Sequence, residues 1–245
     1  MRTFNLGSAL VGFGLALVVA FGGTLAHAQN ESARYRLYVG GIPAGELVFN
    51  ARNNGKTYQV AGSVRSTGLV GAIVKVGYGA QVSGTIVGGK LQPSAYTEQA
   101  STGRRDQGSK LSYKNGVPQL LQATPPRKKR EWDLEPSGQK GTLDPLSMIY
   151  TLLREVDQQD ACSLNQRMFD GRRLTEVILG APSVKDGLIS CAGVYRRLGG
   201  FSPKDMAEKN EFRFSVTYAP TATGRYVVDR LSSESLYGKA VIKRR

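Results

Sequence analysis

Histidine is almost absent from this sequence, which has one, His27, in 245 residues. It lies at the end of an apolar N-terminal stretch that we predict to be removed from the mature chain. Without imidazole, Ser-His-Asp and Cys-His catalysis are excluded, as are metal sites that depend on histidine. A metal site would need carboxylates alone, and the sequence has no calcium-loop pattern of alternating aspartates ending in glycine. We therefore predict no metal ion and no cofactor, and an enzyme is the least favoured class of function.

Long apolar runs are also scarce, and the one present lies at the N-terminus. The residues from Ala9 to Leu25 are almost all apolar or glycine, and Ala26-His27-Ala28 has the small-x-small pattern of a cleavage site. We predict that residues 1–28 are a signal peptide cleaved after Ala28; an uncleaved membrane anchor is the alternative. The expected location is periplasmic, with residues 29–245 forming a single β-rich domain.

Cysteine is limited to two residues, Cys162 and Cys191, and both lie in the part predicted to be exported. An even count in an oxidising compartment predicts one disulfide. Closing a loop of this length should stabilise the fold by about 3–4 kcal/mol on the chain-entropy model. A redox-active pair is the alternative, although no Cys-x-x-Cys motif is present to lower a thiol pKa.

Acidic residues are few relative to basic ones, and the formal net charge is +14. In the cytoplasm this charge would suggest nucleic acid, but an exported protein meets phospholipid headgroups, lipopolysaccharide and other envelope polymers instead. We therefore expect an anionic membrane surface or envelope polymer as partner and no nucleic acid. The candidate anion-binding residues are the four consecutive cations Arg127, Lys128, Lys129 and Arg130, followed by Trp132 as an interfacial anchor; a solvated loop is the alternative.

Strand patterns dominate the mature chain. Glu211–Ala219 alternates strictly, with Phe212, Phe214, Val216 and Tyr218 on one face, and many other segments alternate in the same way. Asn115-Gly116 is a strong two-residue hairpin signal, and Ser183–Gly187 is predicted to be a loop. These patterns predict about a dozen strands in a strongly curved antiparallel sheet or open barrel.

One segment, Asp144–Val156, has the pattern of a solid helix. Asp144 can cap it, and Pro145 suits the first helical position because no amide donor is needed there. A wide apolar stripe at helical spacing must be buried, and it consists of Leu146, Ile149, Leu153 and Val156, with Met148 and Leu152 beside it. The predicted fold is therefore mainly β, with the sheet or open barrel wrapped on this central helix.

The segment Thr67–Val76 interrupts the strand pattern with apolar residues at helical spacing. These residues are Leu69, Val70, Ile73 and Val74. The simpler interpretation is a plug at the end of the core. The alternative is a lid over an apolar cavity, or a lip that touches a membrane.

Several short motifs, in this order and at this spacing, resemble an uncharacterised family of exported bacterial proteins, catalogued as domain of unknown function 3108. They are Tyr35-x-Leu37-x-x-x-Gly41-Ile42-x-x-Gly45, Asp144-Pro145-Leu146-Ser147, Phe169-Asp170-Gly171-Arg172-Arg173 and Gly200-Phe201. The resemblance covers most of residues 33–240. It implies a periplasmic, mostly β protein and implies no reaction.

Two functional hypotheses follow. The first is a non-enzymatic binding protein for an apolar or amphipathic envelope molecule such as a lipid, with Leu69, Val70, Ile73 and Val74 at the opening. The second is a structural or interaction protein with a filled core that docks on anionic envelope surfaces or on an acidic partner. A cavity above about 300 Å³ with apolar walls would favour the first. The sequence assigns neither a ligand nor an oligomeric state.

Overall fold

Thirteen strands of the described residues form one antiparallel sheet. The computed structural model describes residues 29–245 except for 74, 104, 236 and 237. The strands are β1 (Gln29–Val39), β2 (Ile42–Asn53), β3 (Thr57–Ser66), β4 (Gly77–Val87), β5 (Lys90–Ser101), β6 (Asp106–Lys114), β7 (Val117–Thr124), β8 (Asn165–Phe169), β9 (Leu174–Lys185), β10 (Leu188–Gly199), β11 (Glu211–Pro220), β12 (Tyr226–Ser235) and β13 (Gly238–Arg244). This confirms a mainly β fold of about a dozen strands.

The strand order is β7-β6-β5-β4-β3-β2-β1-β13-β12-β11-β10-β9-β8. Each half is a meander of neighbours in sequence, and the halves join where β1 pairs with β13, for example Tyr35 with Arg244. We call this pairing the seam. The sheet is not closed, because β7 and β8 are its two outermost strands.

A short segment runs between the two outermost strands. The Leu143 amide donates to the Arg167 carbonyl (3.0 Å), and the Phe169 amide donates to the Leu143 carbonyl (2.8 Å), so residue 143 extends along β8. Two residues earlier, the Gly141 amide donates to the carbonyl of Gly116 in the β6–β7 turn (2.9 Å). Polar backbone groups at these edges are thereby satisfied.

Tight turns explain where the strand limits differ from the prediction. The Asn115-Gly116 hairpin is confirmed, with φ of 53° and 74°. The predicted loop at Ser183–Gly187 is wrong: β9 continues to Lys185, and only Asp186-Gly187, with φ of 52° and 75°, makes the turn. A two-residue turn with positive φ at both positions matches the twist of the flanking strands, so both strands can extend to it.

The predicted central helix is present as α2 (Pro145–Leu153), with Asp144 as its N-cap. It ends earlier than predicted, because Arg154 adopts an extended conformation and Val156 instead exchanges two backbone hydrogen bonds with Tyr226 (2.9 and 2.8 Å). The other helices are α1 (Gly68–Ile73), α3 (Pro203–Glu208) and the 3₁₀ turns Pro136–Gly138 and Gln158–Asp160. Among the described residues, no helix is both long enough and apolar enough to span a membrane.

The core lies between α2 and the inner face of the sheet. Helix α2 contacts β3, β4, β5, β8 and β12, so both halves of the sheet pack against it. Tyr150 of the helix stacks on Tyr58 of β3 (ring centroids 6.4 Å apart) and meets Phe49 of β2 edge-on (6.0 Å). Because large aromatic side chains bury much surface, these contacts contribute strongly to packing.

Cys162 and Cys191 form a disulfide, with their Cα atoms 5.7 Å apart. Cys162 follows the second 3₁₀ turn, and Cys191 lies in β10 with its side chain on the inner face. The covalent link therefore ties the segment that leads into β8 to the interior of the sheet.

Candidate functional site: a groove across six strands

A cavity of about 980 Å³ extends across strands β2 to β7. Three cross-strand rows of residues line it, each row running perpendicular to the strands. The first row is Asn50, Ala61, Gln81, Thr97, Lys110 and Gln122; the second is Val48, Ser63, Gly79, Gln99, Gly108 and Thr124; the third is Arg65, Gly77, Ser101 and Asp106. We call this feature the groove.

The groove lies on the outer face of the sheet. In a strand, successive side chains point to opposite faces. Val60, Val82 and Tyr96 are buried against the core, so their strand neighbours Ala61, Gln81 and Thr97 point outward. The groove is therefore separated from α2 by the thickness of the sheet.

Small residues make the floor of the groove. Nothing lies within 4 Å of a Cβ added at Gly77 or at Gly79, so both glycines leave open space above the backbone. Because neighbouring strands lie about 4.8 Å apart, six strands give the groove a length of about 24 Å. An extended molecule lying across the strands fits this shape.

Three polar side chains on the groove have no hydrogen-bond partner within the described structure. Gln81, Thr97 and Gln99 make no side-chain hydrogen bond to any part of the protein that the structure describes. Amides and hydroxyls can each both donate and accept hydrogen bonds. The charged residues Arg65, Lys110 and Asp106 also line the groove.

Beneath the groove, Glu98 anchors a polar cluster on the inner face. Its carboxylate accepts hydrogen bonds from the hydroxyls of Tyr96 (2.6 Å), Tyr78 (2.9 Å) and Ser109 (2.8 Å). Burial raises the pKa of Tyr78 and of Tyr96, so both stay protonated donors. The cluster links the side chains of β4, β5 and β6 beneath the groove. The spacing Tyr96-x-Glu98 in a strand could have indicated it, because i and i+2 share a face.

A second cavity, of about 490 Å³, lies near the C-terminal end of α2. Some of its charged side chains have partners within the protein: the Arg225 guanidinium lies 3.7 Å from the Glu155 carboxylate, and Glu31 accepts from the Tyr150 hydroxyl (3.2 Å) and the Glu155 amide (3.3 Å). Burial raises the pKa of Glu31. Since Arg225 and Glu31 already have partners and this cavity is half the size of the groove, we take the groove as the candidate site.

Helix α1 connects β3 to β4 just beyond the third row of the groove. Of the candidate lid residues, Leu69, Val70 and Ile73 lie in α1, and Val74 lies outside the described residues. The Ile73 side chain is 84% exposed. The groove that borders α1 is lined by polar and apolar atoms in similar measure, so a lid over an apolar cavity stays a prediction.

The basic loop follows β7 and begins beside the end of the groove formed by Gln122 and Thr124. All four cations, Arg127, Lys128, Lys129 and Arg130, are exposed. Lys129 forms an ion pair with Glu135, and the Arg130 guanidinium lies 5.7 Å from the centre of the Trp132 ring. Within the described structure, the side chains of Arg127 and Lys128 have no such partner.

The family model described as "Protein of unknown function (DUF3108)" matches residues 34–235. The chain belongs to the DUF3108 family. A crystal structure of a β-barrel-like protein of domain of unknown function DUF1849 from Brucella abortus is similar to this DUF3108 protein at 12% sequence identity. The similarity covers 88% of this chain and 95% of that one, with a TM-score of 0.47. No curated protein matches the chain significantly.

The Asp144 motif of this DUF3108 protein forms a buried polar network. The Asp144 carboxylate accepts from the amides of Leu146 (3.0 Å) and Ser147 (2.9 Å) and from the Ser147 hydroxyl (2.5 Å), which also bonds the Tyr58 hydroxyl (2.8 Å). Burial raises the pKa of Asp144 to about 6. Because Asp144 and Ser147 are both fully buried, neither can reach a substrate. The network is a helix cap rather than a catalytic pair.

Proposed function

We propose that this DUF3108 protein is a non-enzymatic, periplasmic binding protein that holds the extended polar part of an amphipathic envelope molecule in the groove. The observation that carries the proposal is the groove itself, about 24 Å long, in which Gln81, Thr97 and Gln99 make no side-chain hydrogen bond within the described structure and Gly79 leaves open space beside them. The disulfide between Cys162 and Cys191 supports an oxidising compartment.

The chemistry of the groove favours a glycan chain as the polar part. Sugar hydroxyls donate and accept hydrogen bonds, as do the side chains of Gln81, Thr97 and Gln99. The basic loop at the β7 end of the groove and the net charge of +14 favour a ligand that also carries anionic groups. Lipopolysaccharide combines a glycan, anionic groups and an apolar end, and we take it as the test ligand.

Exposed apolar residues near the third row favour an amphipathic rather than a purely polar ligand. Ile73 is 84% exposed and Val76 is 39% exposed, and Val76 directly precedes Gly77 of the groove floor. We infer that the apolar end of the ligand contacts α1, which carries the predicted lid residues. We also infer that the strongly curved sheet wraps on α2, so that the helix supports the groove from the inner face.

Replacing Gly79 by leucine should fill the groove and weaken lipopolysaccharide binding by at least about tenfold. An added Cβ there has nothing within 4 Å, so the side chain enters open space and the fold should tolerate it. A tenfold loss of affinity corresponds to about 1.4 kcal/mol of binding free energy. Losing a few hydrogen bonds to the ligand would cost more than this. Calorimetric titration with lipopolysaccharide, and with its polysaccharide part released from the lipid, measures the effect.

The matched control is Ser83→Leu, which places the same side chain on the same strand and the same face but outside the groove. It should bind both probes as the unchanged protein does. Equal weakening by the two substitutions would refute the groove as the binding site. Native mass spectrometry of the protein purified from periplasm without detergent should also detect a bound glycolipid.

The alternative is an interaction protein that docks on anionic envelope surfaces through charge. The filled core around Tyr58 and Tyr150 and the exposed basic loop favour it. In that case Gly79→Leu would bind lipopolysaccharide as tightly as the unchanged protein. Both would then lose binding in about 0.5 M salt, where charge interactions at a surface are strongly screened.

A further inference from the structure

Exposed apolar side chains lie at one end of the sheet, in and beside α1. Ile73 is 84% exposed, Ile42 at the start of β2 is 53% exposed, and Val76 just before β4 is 39% exposed. Ile42 lies beside α1, because the Thr67 amide donates to the Ala44 carbonyl (3.1 Å) and α1 contacts β2. Grouped aliphatic side chains in water indicate a contact with a membrane or a partner. We call α1 with Ile42 and Val76 the apolar tip.

The apolar tip stands on a hydrogen-bonded base. The Ser66 amide donates to the Val76 carbonyl (2.9 Å), and the Val76 amide donates to the Ser66 hydroxyl (2.9 Å), so the two ends of the α1 connection are joined. Gly71 lies so close to the end of β3 that an added Cβ would be 3.0 Å from the carbonyl oxygen of Ser66. The attachment of α1 at both ends therefore presents Ile73 to solvent.

Cations lie beside the apolar tip. Lys75 follows α1 and Arg105 ends the β5–β6 turn; both are exposed, and within the described structure neither has a carboxylate at ion-pair distance. The two segments are adjacent, because a Cβ added at Gly103 would lie 3.5 Å from the Lys75 carbonyl oxygen. In the β1–β2 turn, the Gly40 amide donates to the Lys239 carbonyl (3.0 Å), which brings a third exposed cation to this end.

The basic loop adds positive charge at the same end of the sheet. Carboxylates offset part of the local charge, since Asp106 begins β6 and Glu234 lies opposite Lys239 in the β12–β13 pairing. Because the strands are antiparallel, the connection after β7 leaves the sheet at the end that carries α1, and it contains the four exposed cations of residues 127–130. Exposed aliphatic groups beside cations are complementary to a bilayer that contains anionic lipids.

We propose that this end of the protein docks on a bilayer of anionic phospholipids, with the apolar tip entering the boundary between headgroups and acyl chains. Ile73 and Ile42 then leave water for the acyl region, while Lys75 and Arg105 stay at the level of the phosphate groups. This docking goes beyond the proposed function and does not depend on it, because no residue that lines the groove belongs to the apolar tip.

Ile73→Ser should weaken binding to vesicles of phosphatidylcholine containing phosphatidylglycerol by at least about tenfold, because an isoleucine side chain is no longer buried in the bilayer. The matched control is Val184→Ser, which replaces an apolar side chain that is 62% exposed but lies in the β9–β10 hairpin, at the opposite end of the sheet. It should bind these vesicles as the unchanged protein does. Co-sedimentation at constant ionic strength measures both, and vesicles of phosphatidylcholine alone should bind all three proteins more weakly.

A fluorescence measurement locates the apolar tip in the bilayer. Trp132 is the one tryptophan of the chain, so Ile73→Trp combined with Trp132→Phe carries a single emitting group in α1. Lipids with brominated acyl chains should quench its emission. Val184→Trp in the same background should stay unquenched when the protein is bound.

Docking by charge alone would leave Ile73→Ser binding like the unchanged protein and Ile73→Trp unquenched, and either result would overturn the proposal. So would equal losses in Ile73→Ser and Val184→Ser. If sedimentation shows that Ile73→Ser turns a dimer into a monomer, the apolar tip is an interface between two copies of the chain instead. Gly79→Leu should keep vesicle binding, and Ile73→Ser should keep binding of the released polysaccharide, so a failure of the groove and a failure of the tip are distinguishable.

Discussion

Gly200→Ala is expected to destabilise the protein by about 3–5 kcal/mol, a large part of a typical stability of about 5–15 kcal/mol. Gly200 has φ of 82°, a conformation that costs an alanine about 1–2 kcal/mol. In addition, an added Cβ would overlap the carbonyl oxygen of Arg172 and lie 2.6 Å from the Cα of Arg173. Both obstacles are backbone atoms, so two chain segments would have to move apart. Urea unfolding of the purified variant measures the loss.

Gly224→Ala separates the two contributions. Gly224 has nearly the same φ, 79°, but nothing lies within 4 Å of an added Cβ. It should therefore cost only the conformational strain of about 1–2 kcal/mol. If both substitutions cost the same, the close approach of Gly200 to the backbone of Arg172 and Arg173 is not a packing constraint.

Asp144→Ala is expected to cost about 3–4 kcal/mol, because three buried donors lose their acceptor at once. These donors are the amides of Leu146 and Ser147 and the Ser147 hydroxyl. The comparison is Ser202→Ala at the N-cap of α3, a helix with no buried residue, which should cost about 1 kcal/mol. Thermal and urea unfolding of both variants test this. Similar costs at the two caps would contradict the role of burial.

The same residue should make stability depend on pH. The pKa of Asp144 is raised from 3.8 in the unfolded chain to about 6 in the fold, so the folded protein binds the proton more tightly. The tighter proton binding adds to the free energy of unfolding. This added stability is fully present below about pH 4 and is lost as the pH rises through about 6, an effect on the order of 3 kcal/mol. Asp144→Asn does not titrate, so its stability relative to the unchanged protein should increase from pH 4 to pH 7. A constant difference across this range would refute the assignment.

Local patterns in the sequence were enough for most of the strands and for the start of the central helix. Alternation at Glu211–Ala219 and the cap formed by Asp144 and Pro145 act over a few residues, and the structure has both. The end of α2 was not predictable in this way. Val156 continues the apolar stripe, but its backbone pairs with Tyr226, which lies 70 positions further along the chain. A long-range pairing overrides the local helical pattern there.

The groove could not be read from the sequence, because it depends on the register of six strands. Gln81 and Thr97 look like ordinary outward-facing polar residues until the pairing sets them side by side in one row.

The seam between β1 and β13 has a consequence for how the sheet assembles. Every other strand pairing joins neighbours in the chain, whereas the seam joins Tyr35 to Arg244, 209 positions apart. In an unstructured chain, closing a loop of that length costs about 3 kcal/mol more than closing a ten-residue hairpin. Each half can therefore form its hairpins early and locally, but the complete sheet depends on its last strand. Until β13 is in place, β1 and β12 each present an unpaired edge, the kind of surface on which partly folded β proteins associate with one another.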